Sequence, residues 1–358
     1  MTTGPVLILS AGMGAGHDRV ALELASRLSG LGVDSHLLDV LRLLPFRLGP
    51  GLRNSYVWTM RHSPVLYAGV YRVFFTSAHA PTISPLTVLA AARLEEWVRR
   101  HAPVAVISTF HVAAQVAGHL RAQGRLRVPS QVLITDFMAH RLWLHAGNDG
   151  YLCPTPAVAD EVGAATGRPA RCHAPLVHPG FRRSAGRAAD VRAGLGIGPD
   201  ERMVVVATGS WGVGRVRETA RVLADSCRYR PVVLCGENER LRRRLSDLAG
   251  CVAVGWRDDL PDLMTAGYAL VDNAAGLTAR EAIAAGVPVI GHRPIPGHGR
   301  DGVRAMAQAR LSVHAEDATA LLAALDRLAS PDERRRRIAD ASAVFDHPPA
   351  EELVRAWL

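Results

Sequence analysis

The chain has 358 residues, a formal net charge of +9 and 48% hydrophobic residues with 5% aromatics, a length too great for one ordinary core and suited to two. No window of 18 uncharged apolar residues occurs, which argues against a membrane-spanning helix. The five cysteines (Cys153, Cys172, Cys227, Cys235, Cys251) lack CxxC spacing, which disfavours zinc and points to a reducing compartment.

From the N-terminus, residues 6–10 read as a first strand, too short and too poorly flanked to be a secretory signal. A Gly-rich turn and an amphipathic helix follow, then a strand over 33–40. Residues 46–80 differ in kind, mixing Tyr56, Trp58, Tyr67, Tyr71, Phe74 and Phe75 with arginines. Helix and strand then alternate: strands at 104–108, at 131–135 and near Tyr151. A Gly/Arg/Ala-rich stretch at 184–199 reads as a linker. The alternation restarts with strands at 203–207, 232–235, 252–254, 269–271, 287–290 and 311–313. The expected class is α/β, with two doubly wound domains, 1–183 and 200–331, facing a cleft. The last helices, 332–358, are expected to pack back on the first domain.

All 42 basic residues are arginine, several in clusters such as Arg242-Arg243-Arg244 and Arg334 to Arg337. Solvated helix faces are the simpler reading. Attraction to an anionic lipid surface is the functional one. Nucleic acid is not expected as a partner, because no cluster is interleaved with aromatics.

In open α/β sheets, ligands bind at the carboxyl ends of the strands, which directs attention to a few loops. Gly12-Met13-Gly14-Ala15-Gly16-His17 is neither a P-loop nor a dinucleotide fingerprint. Its glycines, Gly14 and Gly16 among them, allow close approach of an acceptor. His17, near a helix N-terminus that disfavours imidazolium, is suited to act as a base; a surface histidine is the competing reading. After the strand at 131–135, Asp136 is a candidate to orient or assist a base. His140 is a candidate contact to phosphate or acceptor, and Trp143 either an acceptor wall or a core residue. Gly209, Ser210 and Gly212 form a second glycine turn whose amides suit a diphosphate.

The segment from Asp272 to Ile290 holds a tight turn, a short helix and a buried strand. Thr278 is placed to cap the helix and Gly286 to end it. Gly276, Leu277 and Thr278 then form an anion site at the helix start. Glu281 either closes a capping box with Thr278 or accepts both hydroxyls of a ribose. Asn273 lies where donor sugar or diphosphate would be touched. The segment 293–301 reads as a rigid loop bearing His298, Arg300 and Asp301, either for the donor or as a solvated turn.

The ordered set resembles the monogalactosyldiacylglycerol synthase family, related to the lipid-linked N-acetylglucosamine transferase of peptidoglycan synthesis. Gly14-Ala15-Gly16-His17, the aromatic region 56–75, Thr135-Asp136 with His140 and Trp143, and Cys235-Gly236-Glu237-Asn238 carry the likeness. So do Gly255-Trp256, Gly276-Leu277-Thr278 with Glu281, and Gly286-Val287-Pro288. The resemblance implies a GT-B fold with the acceptor on the first domain and the donor on the second. It further implies metal-independent, inverting transfer of a hexose from a UDP-sugar, a co-substrate with no separate cofactor, to a lipid hydroxyl. His17 would be the base, and the protein would sit peripherally on the cytoplasmic face of the plasma membrane. The chain departs from the family at Asn273-Ala274-Ala275-Gly276, commonly Lys-Pro-Gly-Gly, and at 296–302.

Overall fold

The computed structural model describes residues 4–77, 84–183, 186–209 and 211–358. The chain divides into two units, one of residues 1–176 with 344–358 and one of residues 177–343. Each is built on its own six-stranded parallel sheet.

In the first unit the strands are β1 (Val6–Ser10), β2 (Ser35–Asp39), β3 (Ala105–Ser108), β4 (Ser130–Leu133), β5 (Gly150–Cys153) and β6 (Ala170–Cys172). Their order is β2-β1-β3-β4-β5-β6. The run Val6 to Leu9 is wholly buried, as expected of a parallel strand covered on both faces. Helices Ala15–Gly30, Pro85–His101 and His111–Ala122 flank the sheet, and Leu94, Val116 and Leu120 fill one core with Leu7, Leu9 and Val106. The strand order reverses between β1 and β3, so the turns after Ser10 and Ser108 open at the switch point.

The segment of unusual composition forms the helices Leu48–His62 and Pro64–Tyr71 and a π-turn at Arg72–Thr76. Tyr67 and Tyr71 point inward and are buried, whereas Phe46, Trp58, Val65, Leu66 and Phe74 are exposed.

In the second unit the strands are β7 (Arg202–Ala207), β8 (Tyr229–Leu234), β9 (Val252–Val254), β10 (Ala269–Asp272), β11 (Val289–His292) and β12 (Val313–Ala315). Their order is β12-β11-β10-β7-β8-β9, so the switch point lies between β7 and β10. It is flanked by the turns at 208–214 and 272–276.

Two expected boundaries shift. Residues Ala188–Gly194, inside the expected linker, form a helix, and Arg192 NH1 donates to Ala266 O at 3.1 Å, tying it into the second unit. Buried Val191 and Ile197 supply the apolar anchor that the Gly/Arg/Ala composition hides. The helix Pro331–Ser342 stays with the second unit; of the expected C-terminal helices only 344–358 join the first. There Glu351 lies 3.6 Å from Arg27, and Trp357 fills the space beside Gly150.

Candidate functional site

Unit one assembles its candidate site from three strand ends. Gly14 caps the first helix at φ 151 and ψ 157, a conformation almost restricted to glycine. That turn delivers His17 as the third helical residue. Its Nδ1 lies 2.9 Å from the Thr135 hydroxyl, and its ring meets Phe110 edge-on at 5.0 Å. Thr135 is buried just beyond β4. Ser10 Oγ donates to Asp18 Oδ1 at 2.8 Å, fixing the first helical turn to the end of β1.

Asp136 is the residue expected to orient or assist the base, and the Thr135 hydroxyl beside it is the group 2.9 Å from His17 Nδ1. Asp136 accepts from Trp143 Nε1 at 2.9 Å, and its Oδ2 stands 3.8 Å from His140 Nε2. Trp143 is fully buried, which leaves it a core residue and not an exposed acceptor wall. The loop carrying these residues is braced by the half-turn Arg141–Trp143 and by Gln115, whose amide donates to Leu142 O at 3.0 Å and Leu144 O at 2.9 Å.

His140 is buried within a wall of rings: Phe75 at 4.9 Å, His111 at 5.1 Å and Trp143 at 6.1 Å. Tyr71 joins it at 6.4 Å and stacks on Phe75 at 5.0 Å. Tyr56 meets Tyr67 edge-on at 5.5 Å, and burial pushes both phenols far above their ordinary range. The π-turn at 72–76 sets Phe75 against the two histidines. Sequence reasoning does not single out His111, and it names Thr135 only as part of the motif that carries the family likeness. The available signal was position, since both lie at strand ends beside the β1–β3 switch point.

Unit two gathers its candidates around the β7–β10 switch. Gly209, Gly212 and Gly214 all have positive φ (63, 59 and 103), a turn that only glycine makes without strain. Ser210 lies outside the described residues. Asp272, buried at the end of β10, accepts from Ala274 N at 3.1 Å and Ala275 N at 2.5 Å and so folds the next turn. Desolvation raises its carboxyl above the usual carboxylate range, opposed by those backbone donors.

The helix Leu277–Ala284 starts two residues earlier than expected. Gly276 is the cap, in extended conformation, and Thr278 is the second helical residue, so the capping box of Thr278 and Glu281 does not form. Gly286, at φ 70, ends the helix as expected, with Val287 N donating to Ala282 O at 2.9 Å. Gly276, Leu277 and Thr278 are partly open, while Glu281 is buried. Asn273 is buried too: Nδ2 donates to Val213 O at 3.0 Å, and the residue's carbonyl accepts from Ile295 N at 2.9 Å.

His298, Arg300 and Asp301 are not on a loop. They occupy the first turn of the helix His298–Gln308, and Arg300 pairs with Asp301 at 3.2 Å, which offsets its charge. Trp256 follows β9 with its indole 49% exposed, an aromatic face to which the sequence reading gave no role.

Comparison with known proteins agrees with this architecture. Residues 17–170 match the family model for monogalactosyldiacylglycerol (MGDG) synthase, a span that begins at His17 and ends on β6. A processive diacylglycerol beta-glucosyltransferase of Bacillus subtilis (strain 168) is 26% identical over 330 residues, covering 84% of this chain and 80% of that protein. Among solved structures, Acinetobacter baumannii MurG superposes with a TM-score of 0.58 at 14% identity, covering 98% of each chain. Phytolacca americana UGT2, complexed with UDP-2fluoro-glucose and pterostilbene, gives 0.63 at 13% identity, covering 99% of this chain and all of the other. The chain therefore has the GT-B fold, and its residues 17–170 match the model of the monogalactosyldiacylglycerol synthase family.

Proposed function

We propose that the protein transfers a hexose, with inversion, from a UDP-sugar to the hydroxyl of a diacylglycerol-type lipid at the cytoplasmic membrane surface. The observation that carries this reading is the His17–Thr135 pair at the switch point of a unit whose sequence matches a lipid-glycosylating family. With the Nδ1 proton donated to Thr135 Oγ1, Nε2 holds the lone pair that accepts the proton of the acceptor hydroxyl. The acceptor oxygen then bonds to the anomeric carbon. The bond from that carbon to the diphosphate breaks, and UDP leaves with the electron pair. The Gly214 amide and the start of the helix Leu277–Ala284 are the groups suited to the charge on the departing diphosphate. Buried Glu281 is assigned to the ribose hydroxyls, and Trp256 offers a stacking face to the base.

The membrane component of this reading rests on the exposed apolar face of residues 46–74. Exposed Arg47, Arg53, Arg61 and Arg72 share that segment and suit anionic headgroups.

The test is a panel of UDP-sugars offered with diacylglycerol in anionic vesicles, with mass analysis of the lipid product. A hexosyl-diacylglycerol formed from at least one donor supports the proposal. Turnover only on soluble aglycones, or on none, overturns it.

A further inference from the structure

Two asparagines from separate elements reach the same glycine turn in the second unit. Asn238 caps the helix Glu239–Ser246, its Oδ1 accepting from Leu241 N at 3.0 Å. Its Nδ2 donates in the other direction to Trp211 O and Gly212 O, both at 3.2 Å. From beyond β10, Asn273 Nδ2 donates to Val213 O at 3.0 Å. Three consecutive carbonyls of the turn are thus held by side-chain amides.

The packing leaves no slack. A Cβ on Gly212 would stand 2.8 Å from Asn238 Cβ, and one on Gly214 would stand 2.5 Å from Asn273 Nδ2. Within the turn, Gly212 N donates to Gly209 O at 3.4 Å and Val213 N to Thr208 O at 3.2 Å. A trans peptide directs its C=O and N–H oppositely. Fixing the Val213 carbonyl on Asn273 therefore aims the Gly214 N–H away from Asn273. Holding the carbonyls back in this way also keeps their negative ends from opposing an anion at the turn.

We infer that Asn238 and Asn273 are positioning residues that clasp residues 211–214 and aim the Gly214 N–H at the diphosphate of the donor. The inference rests on the donor site proposed above and assigns Asn273 a different task from direct contact with sugar. It also gives a reason for the departure from the family pattern at this position: in this chain a buried amide braces the neighbouring turn.

Asn238→Ser and Asn273→Ser remove the amide donors without adding charge. Serine at 238 keeps a good helix cap. Asn273→Leu serves as a second variant of nearly the same size and without charge at the buried position. Binding of UDP and of uridine is measured by titration calorimetry, with the melting temperature of each unliganded protein. The clasp predicts UDP binding about ten-fold weaker in each variant, a change of about 1.4 kcal/mol, with uridine binding held and a cooperative melting transition retained. Unchanged UDP affinity in the variants overturns the clasp and leaves the donor site standing. Parallel loss of UDP and uridine affinity also overturns it, because the whole unit would then have loosened. Absence of UDP binding by the wild-type protein overturns the donor site and the clasp together.

Discussion

The His17 ring does its proposed work through one nitrogen, and which nitrogen depends on the hydroxyl 2.9 Å away. When Nδ1–H donates to Thr135, Nε2 is the base; when the Thr135 hydroxyl donates instead, Nε2 carries the proton and cannot act. His17→Ala should therefore abolish transfer, while UDP affinity, assigned above to the second unit, stays near wild type. Thr135→Val keeps the buried volume and removes the hydroxyl. It should lower kcat roughly 10- to 100-fold, part of the usual worth of general base catalysis, with the KM for the UDP-sugar unchanged. Steady-state kinetics on both variants check this. A Thr135→Val enzyme with wild-type kcat would show that the hydroxyl does not orient the ring. The neighbouring carboxylate is engaged by the Trp143 indole, so Asp136→Asn should act on the loop through Trp143 and His140.

The short elements at the strand ends separate glycines that shape the backbone from one that leaves room. Gly214 combines φ 103 with a 2.5 Å approach of its would-be Cβ to Asn273, so Gly214→Ala strains the turn whatever is bound. It should cost about 1–3 kcal/mol of stability and weaken UDP binding. Gly276 has an ordinary extended conformation, and nothing lies within 4 Å of its would-be Cβ. Gly276→Ala should leave the melting temperature near wild type yet weaken UDP, because the methyl would stand in the space in front of the helix start. Denaturant melts and UDP titrations on the pair measure both effects. A Gly276→Ala protein with undiminished UDP affinity would remove that helix start from the donor site.

The same elements show what the sequence could reveal. Buried runs such as Val6 to Leu9 announced the strands, and Gly286 announced a helix end, because burial and positive φ leave local marks. The missed start of the helix Leu277–Ala284 has another cause. Asp272 folds the preceding turn through its carboxylate, and that places the cap at Gly276 before Thr278 can take the role. The Thr135–His17 contact joins residues 118 positions apart, and no local pattern reports it. The rigid loop expected at 293–301 became a helix from His298 because Gly297, at φ 76, turns the chain into it. The two prolines had suggested a longer irregular stretch.

Across the whole molecule, the arginine clusters and the apolar face have different fates. Arg336 and Arg337 pair with Glu333, Arg335 pairs with Asp332, and Arg242 pairs with Glu239, while Arg334 lies over the Tyr268 ring at 5.1 Å. Arg335, Arg336 and Arg337 are thus paired within their own helix, and Arg242 within its own. The segment 46–74 is different. Its inner aromatics pack around His140, and its outer side leaves Phe46 94%, Val65 84% and Trp58 56% exposed. Exposed apolar side chains grouped on one segment suit a lipid surface better than water. Each large apolar side chain entering the bilayer boundary contributes roughly 1–2 kcal/mol. Replacing Trp58 and Phe74 together by serine should therefore weaken sedimentation with anionic vesicles by about 30-fold or more. The melting temperature should change little, since neither side chain is buried. Activity on diacylglycerol in vesicles should fall with vesicle binding, whereas binding of UDP in solution should not. Vesicle binding unchanged in the double variant would place the membrane contact elsewhere on the molecule. Loss of UDP binding would mean that these side chains support the fold of the protein and not its docking.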